Sequence, residues 1–265
     1  MGMTIAVSGK GGSGKTTVAS MIVRVLLEHA GQQGVLCIDA DPNSCLAMAL
    51  GVEPDTTVAE LREQARNKPT NEAGMDRMRS FEYGLQRAIT EAQGFDLVTM
   101  GQPEGPSCYC AVNNMLRKVL DQASAKYPFV VVDNEAGMEH LSRRTTNNVD
   151  FLCVVSEPTE VGKITARRIC GLTRRLPISV GKVGILWNKT SAEPTGGEEE
   201  GEFSVLGRVP EDPLVLDASK RGASVFSLPA DSAAFSAVRA MVEEVLAQRP
   251  ESDVSRLARM ISGGS

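Results

Sequence analysis

Short, continuously apolar runs alternate along the chain with polar or glycine-rich turns. Met3 to Ser8 predicts a buried strand. From Thr16 to about His29 the apolar residues Val18, Met21, Ile22, Val25 and Leu26 recur at helical spacing. Gly9 to Lys15 is the turn between them. A second strand is expected over Gly34 to Ile38, after Gly31, so the chain opens with a β-loop-α-β unit of the kind that builds a parallel sheet. Further strands are predicted at Phe95 to Met100, Phe129 to Val132, Phe151 to Val155 and Val183 to Trp187. Each is short, apolar throughout and followed by polar or glycine residues, as expected when helices cover both faces. The pattern predicts an α/β fold with a single doubly wound, mostly parallel sheet.

Residues 52–94 break this rhythm. They are polar, charged and helix-favouring, and predict a helical insertion on the sheet that either meets a partner or is simply a solvated excursion. Residues 193–202, EPTGGEEEGE, predict a mobile acidic loop. A helix is expected over Ala111 to Ala123, and another over Ala233 to Ala247 with apolar positions suited to packing on the sheet; the tail ending in Ser262 to Ser265 should fray. No internal repeat is visible, and residues 1–265 are expected to form one domain.

Composition narrows the function classes. Of the 265 residues, 42% are hydrophobic and 23% charged, which suits a globular chain with a large core. Only 4% are aromatic and the net charge is -5, which argues against base-stacking platforms and general binding to nucleic acid. No apolar run approaches the roughly 20 residues that span a bilayer, and no signal peptide precedes the first strand, so a soluble cytoplasmic protein without membrane contact is expected. The six cysteines are too sparse for a secreted disulfide framework. Cys37, Cys45, Cys153 and Cys170 suit core positions, and His29 and His140 lack metal-ligand spacing.

Gly9-Lys10-Gly11-Gly12-Ser13-Gly14-Lys15-Thr16 fits G-x-x-x-x-G-K-[ST] between a predicted strand and helix. Gly11, Gly12, Ser13 and Gly14 let the backbone curl so that N–H groups and the helix N-terminus point at phosphate. Lys15 would reach the β and γ oxygens, Thr16 would ligate Mg²⁺, and Thr17 is placed for the α-phosphate. Asp39-Ala40-Asp41-Pro42-Asn43 follows the second strand at the edge where an α/β nucleotide site belongs. Carboxylates there can hold waters around Mg²⁺ and orient an attacking water. Asp133 ends the apolar strand from Phe129 and can reach Mg²⁺ through water.

With its second lysine, Lys10, the segment KGGSGKTT resembles the deviant Walker A class that includes MinD, ParA, the nitrogenase iron protein and metal-insertion ATPases. The resemblance implies a nucleotide-bridged homodimer in which Lys10 of each protomer enters the other's active site. It also places Asp41 in switch I as the water-positioning carboxylate, with Asp39 as helper, and Asn134-Glu135-Ala136-Gly137 in switch II. Asn188-Lys189 and Pro210-Glu211-Asp212 resemble the adenine-side segments of the class. An amide at Asn188 can pair with N6 and N7 of adenine, whereas Thr190 and Ser191 offer guanine no acidic partner, so ATP/ADP is the expected nucleotide.

Cys108-Tyr109-Cys110 lies in a loop flanked by glycine and proline. Two thiolates supply half of a tetrahedral sulfur shell, and a two-fold axis would supply the rest, for one soft or borderline ion. The run GQPEGPSCYCAVNNMLR, DADPN and VVDNEAGMEH together resemble the CooC-type nickel-insertion ATPases that serve carbon monoxide dehydrogenase and its acetyl-CoA synthase relatives. That resemblance extends from Met3 to about Leu246 and is weakest in the insertion and the acidic loop. It implies Ni²⁺ or Zn²⁺ at the Cys108 and Cys110 pairs of a homodimer, and hydrolysis coupled to delivery to a client enzyme. An Fe–S electron carrier would also place four thiolates on the axis, but its class draws cysteines from two loops and residues 134–140 hold none. A MinD- or ParA-like spatial regulator would need a basic membrane helix or a basic face. Residues 255–261 give only a faint basic amphipathic pattern, and that class leaves the cysteine pair unexplained.

Overall fold

The computed structural model describes residues 2–67, 87–102, 126–136, 148–174, 179–191 and 203–248. The strands are β1 (Met3–Gly9), β2 (Val35–Ala40), β3 (Ile89–Glu91), β4 (Phe95–Thr99), β5 (Phe129–Asn134), β6 (Asn148–Ser156), β7 (Ser179–Thr190) and β8 (Ser204–Pro210). The helices are α1 (Lys15–Ala30), α2 (Cys45–Leu50), α3 (Val58–Asn67), α4 (Glu160–Thr173), α5 (Pro213–Lys220) and α6 (Ala233–Ala247). The strands form one sheet in the order β3-β4-β2-β5-β1-β6-β7-β8. All neighbours run parallel except β3 and β4.

The apolar runs become the central strands because both of their faces are covered. Phe129–Asn134 and Val35–Ala40 are buried at every position, so no polar alternation is needed. One face packs against α1 and α6 through Val18, Ile22, Leu26, Phe235 and Val242. The other packs against α4 through Ala166 and Ile169, with Trp187 fully buried there. Side-chain N-caps open α4, α5 and α6: Thr159 Oγ1 accepts from the Gly162 N–H at 3.0 Å, Asp212 Oδ1 from the Leu214 N–H at 2.9 Å, and Ser232 Oγ from the Phe235 N–H at 3.2 Å.

All six expected strands are present, the starts of β1, β4 and β5 where the pattern put them and the other boundaries moved by one to four residues, and α6 has the bounds the pattern gave. Within residues 52–94 the structure has α3 but also β3, a three-residue antiparallel edge strand where only helix was expected. β8, α2 and α5 were not foreseen. β8 is half-exposed at the sheet's edge and its pairing shifts register against β7, which erases any clean apolar run. Cys37, Cys153 and Cys170 are buried as expected, whereas Cys45 is exposed because it opens α2. The helix expected over 111–123, the acidic loop 193–202 and the C-terminal tail lie outside the described residues.

Candidate functional site

The phosphate loop joins β1 to α1 at the C-terminal edge of the sheet, beside the ends of β2, β5 and β6. Its glycines answer to backbone demands. Gly14 caps α1 at φ 90°, and a Cβ there would stand 2.3 Å from Asn188 Nδ2. A Cβ on Gly9 would come within 2.1 Å of the Val155 carbonyl oxygen. The loop closes on one acceptor, the Lys10 carbonyl, which takes bonds from the Ser13 N–H at 3.3 Å, the Ser13 hydroxyl at 2.9 Å and Lys15 Nζ at 3.3 Å. Lys15 is thereby buried, while Lys10 and Gly11 are exposed.

Two carboxylates stand side by side beneath the loop, since Asp39 on β2 is in register with Asp133 on β5. Both are fully buried. Burial pushes the Asp39 carboxyl up to about 7, helped by the neighbouring Asp133 charge and opposed by N–H bonds from Leu46 at 2.8 Å and Asp41 at 3.2 Å. Burial likewise raises Asp133 to about 6, against the Thr16 hydroxyl and the Lys15 charge, which lower it. Beyond the nearby Thr16 hydroxyl, neither Asp133 oxygen has a hydrogen-bond partner among the described residues. Two buried acids in register, one of them with unpartnered oxygens, are a site that a cation would relieve. Asp41 is half-buried, and its Oδ1 holds the following turn by accepting from the Asn43 N–H at 2.9 Å and Asn43 Nδ2 at 2.8 Å. Thr16 and Thr17 line a cavity of about 190 Å³ with Ser20, Cys45, Met48 and Val215.

The residues expected to read the base are arranged differently from one another. Asn188 is buried and its Nδ2 donates to the Ser13 carbonyl at 2.8 Å, so part of the amide is engaged by the phosphate loop. Lys189 Nζ donates to the Gly12 carbonyl at 2.8 Å and to Glu157 Oε1 at 2.7 Å. Pro210 ends β8, and the Glu211 N–H donates to the Thr190 carbonyl at 3.1 Å. The Asp212 carboxylate joins two helix starts, accepting from the Leu214 N–H, from the Ser232 hydroxyl at 2.7 Å and from the Ala234 N–H at 3.1 Å. Its side chain is therefore committed to capping, a role its place before Pro213 could have signalled. Glu157 was not foreseen at all, since a lone acid after a strand carries no pattern of its own. Cys108, Cys110, Gly137 and His140 lie outside the described residues. Among the described residues no three His, Cys, Asp or Glu side chains converge as a metal site, and no helix is long and apolar enough to cross a membrane.

Residues 4–225 match the CobQ/CobB/MinD/ParA nucleotide binding domain family. An uncharacterized ATP-binding protein of Methanocaldococcus jannaschii is 34% identical over 92% of this chain and 98% of its own length. The carbon monoxide dehydrogenase accessory protein CooC of Rhodospirillum rubrum is 31% identical over 85% of this chain and 90% of its own. Among solved structures, the septum site-determining protein MinD of Pyrococcus horikoshii, complexed with Mg-ADP, superposes with a TM-score of 0.67. At 22% identity it covers 94% of this chain and 98% of its own, and it speaks for the fold alone. The mostly parallel sheet, the phosphate loop at its edge and these matches agree: the chain belongs to the CobQ/CobB/MinD/ParA nucleotide-binding family and is an ATPase of the MinD/ParA type.

Proposed function

We propose that this ATPase is a metallochaperone that dimerises on nucleotide, carries Ni²⁺ or Zn²⁺ as cargo on Cys108 and Cys110 of each protomer, and couples ATP hydrolysis to nickel insertion into carbon monoxide dehydrogenase or acetyl-CoA synthase. The observation that carries this reading is the Cys108-Tyr109-Cys110 pair, in a chain that is similar to CooC over 90% of that protein's length. Two thiolates per protomer make a complete tetrahedral shell only when two chains meet.

The hydrolytic site supports the same reading. The unpartnered Asp133 oxygens, the registered Asp39 and the Thr16 hydroxyl suit a hydrated Mg²⁺. Thr16 and Asp133 would hold it, with Asp39 and Asp41 on its waters, and it would supply charge neutralisation at the phosphates. Lys15 binds the β and γ oxygens once it leaves the Lys10 carbonyl. Asp41 orients the attacking water. Lys10, exposed and adjacent to the loop, reaches the partner protomer's phosphates and offsets the charge that develops on transfer. Thr17 takes the α-phosphate, and Asn188, Lys189 and the backbone of 210–212 flank adenine. Loss of γ-phosphate contacts would release the dimer's hold on the shared ion and free it for the client.

The test is anaerobic metal analysis with molar mass on reduced full-length protein, before and after Ni²⁺ addition, beside Cys108→Ser/Cys110→Ser. About one nickel or zinc per dimer, lost in the double variant, is expected for a four-thiolate site. About four irons with labile sulfide per dimer would replace this reading with an electron carrier, and no cysteine-dependent metal would refute cargo binding.

A further inference from the structure

The ends of β6 and β7 hold a polar chain that ends on the phosphate loop. Glu157, just after β6, accepts from Lys189 Nζ at 2.7 Å; Lys189 donates to the Gly12 carbonyl at 2.8 Å; and its neighbour Asn188 donates to the Ser13 carbonyl at 2.8 Å. A phosphate cradle works because successive backbone N–H groups converge on the anion, and this requires the intervening carbonyls to turn outward. Gly12 and Ser13 supply two such carbonyls, and side chains at the end of β7 hold both.

Gly12 has most need of such a hold. It sits at φ 77° with nothing within 4 Å of where a Cβ would be, so packing does not fix its peptide. Lys189 itself stands at φ 54°, one of two non-glycine residues at positive φ among those described. A bulky side chain keeps that conformation only where its surroundings over-determine it. The ammonium is held between the Gly12 carbonyl and Glu157, so that Lys189 links the carboxylate to the loop.

We propose that Glu157 is a positioning residue for nucleotide binding, acting through Lys189 to keep the Gly12 carbonyl turned outward, beside the Ser13 carbonyl that Asn188 holds, so that the loop's amides face the phosphates. As a plain ion pair it would matter little, because the two side chains are 37% and 44% exposed and such pairs add little to stability. Its effect belongs to the loop. Without the carboxylate the ammonium is drawn into solvent, the Gly12 peptide is free to turn, and a carbonyl can face the anion. This inference needs only nucleotide binding and is independent of the cargo metal.

The experiment measures Mg-ADP affinity of the full chain by calorimetry, with ATPase kinetics and thermal melting alongside, for Glu157→Gln, Lys189→Gly and the pair. Glycine at 189 accepts the positive φ and removes the side chain with its ammonium. Affinity is expected to fall about threefold in Glu157→Gln and about tenfold in Lys189→Gly, with the double variant no weaker than Lys189→Gly alone. For Glu157→Gln the loss should appear in KM rather than kcat, with Tm within about 2 °C of wild type. Raising salt to 0.5 M should bring wild-type affinity toward that of Glu157→Gln. Unchanged affinity in Glu157→Gln, additive losses in the double variant, or a Tm drop that accounts for the affinity loss would each overturn the assignment.

Discussion

Replacing Asp133 by asparagine should stabilise the nucleotide-free protein at pH 8 while removing its response to Mg-ADP. The folded protein holds the Asp133 proton more tightly than the unfolded chain, with a carboxyl raised by burial to about 6 from an ordinary 3.8. An acid raised in this way favours the folded state only while protonated, so stability falls as pH rises from 3.8 through 6. Above that window the two-unit difference costs about 3 kcal/mol at 1.36 kcal/mol per unit, and at pH 5 about half of that. Asparagine keeps the shape and removes the charge. The variant should therefore melt higher by roughly 5–10 °C at pH 8, at about 2–4 °C per kcal/mol for a chain of this size, with a smaller gain at pH 5. Thermal melting at both pH values, with and without Mg-ADP, checks this. Wild type should gain stability from Mg-ADP and the variant little, because the cation that compensates the charge has lost its ligand. A variant that melts at or below wild type at pH 8 would refute the claim that this carboxylate is uncompensated in the ligand-free fold.

Two further outcomes follow from the geometry. Lys10→Ala should abolish turnover and ATP-dependent dimerisation, read by phosphate release and molar mass, while the monomer melts normally, because the side chain is exposed and only its carbonyl organises the loop. An undiminished rate would remove the trans-acting role. Asp212→Ala removes caps from α5 and α6 together and should lower stability by about 2–3 kcal/mol in denaturant melts, with ATP affinity lowered far less than by Lys15→Ala.

Much of the fold was legible because the central strands are buried on both faces, so Phe129–Asn134 and Val35–Ala40 appear as unbroken apolar runs whatever packs on them. The phosphate loop was legible for a related reason: anion binding by backbone N–H groups demands glycines and a lysine at fixed spacing within a few residues. β3 was hidden because three residues at a sheet edge carry no period, and β8 because only one of its seven positions is buried.

The sequence by itself pointed to a nucleotide-binding loop, because the glycines, Lys15 and Thr16 stand at fixed local spacing, and it supplied the Cys108 and Cys110 pair on which the cargo reading rests. Only tertiary structure decided which acids share an environment. Asp39 and Asp133 are 94 residues apart along the chain and become neighbours through the register of β2 with β5, in a core whose burial raises both carboxyls. Asp212 became a double helix cap because α6 begins beside α5. Glu157 and Lys189 met because β6 and β7 end together beneath the loop. Contacts between distant segments depend on strand order and register, which local residue patterns do not encode.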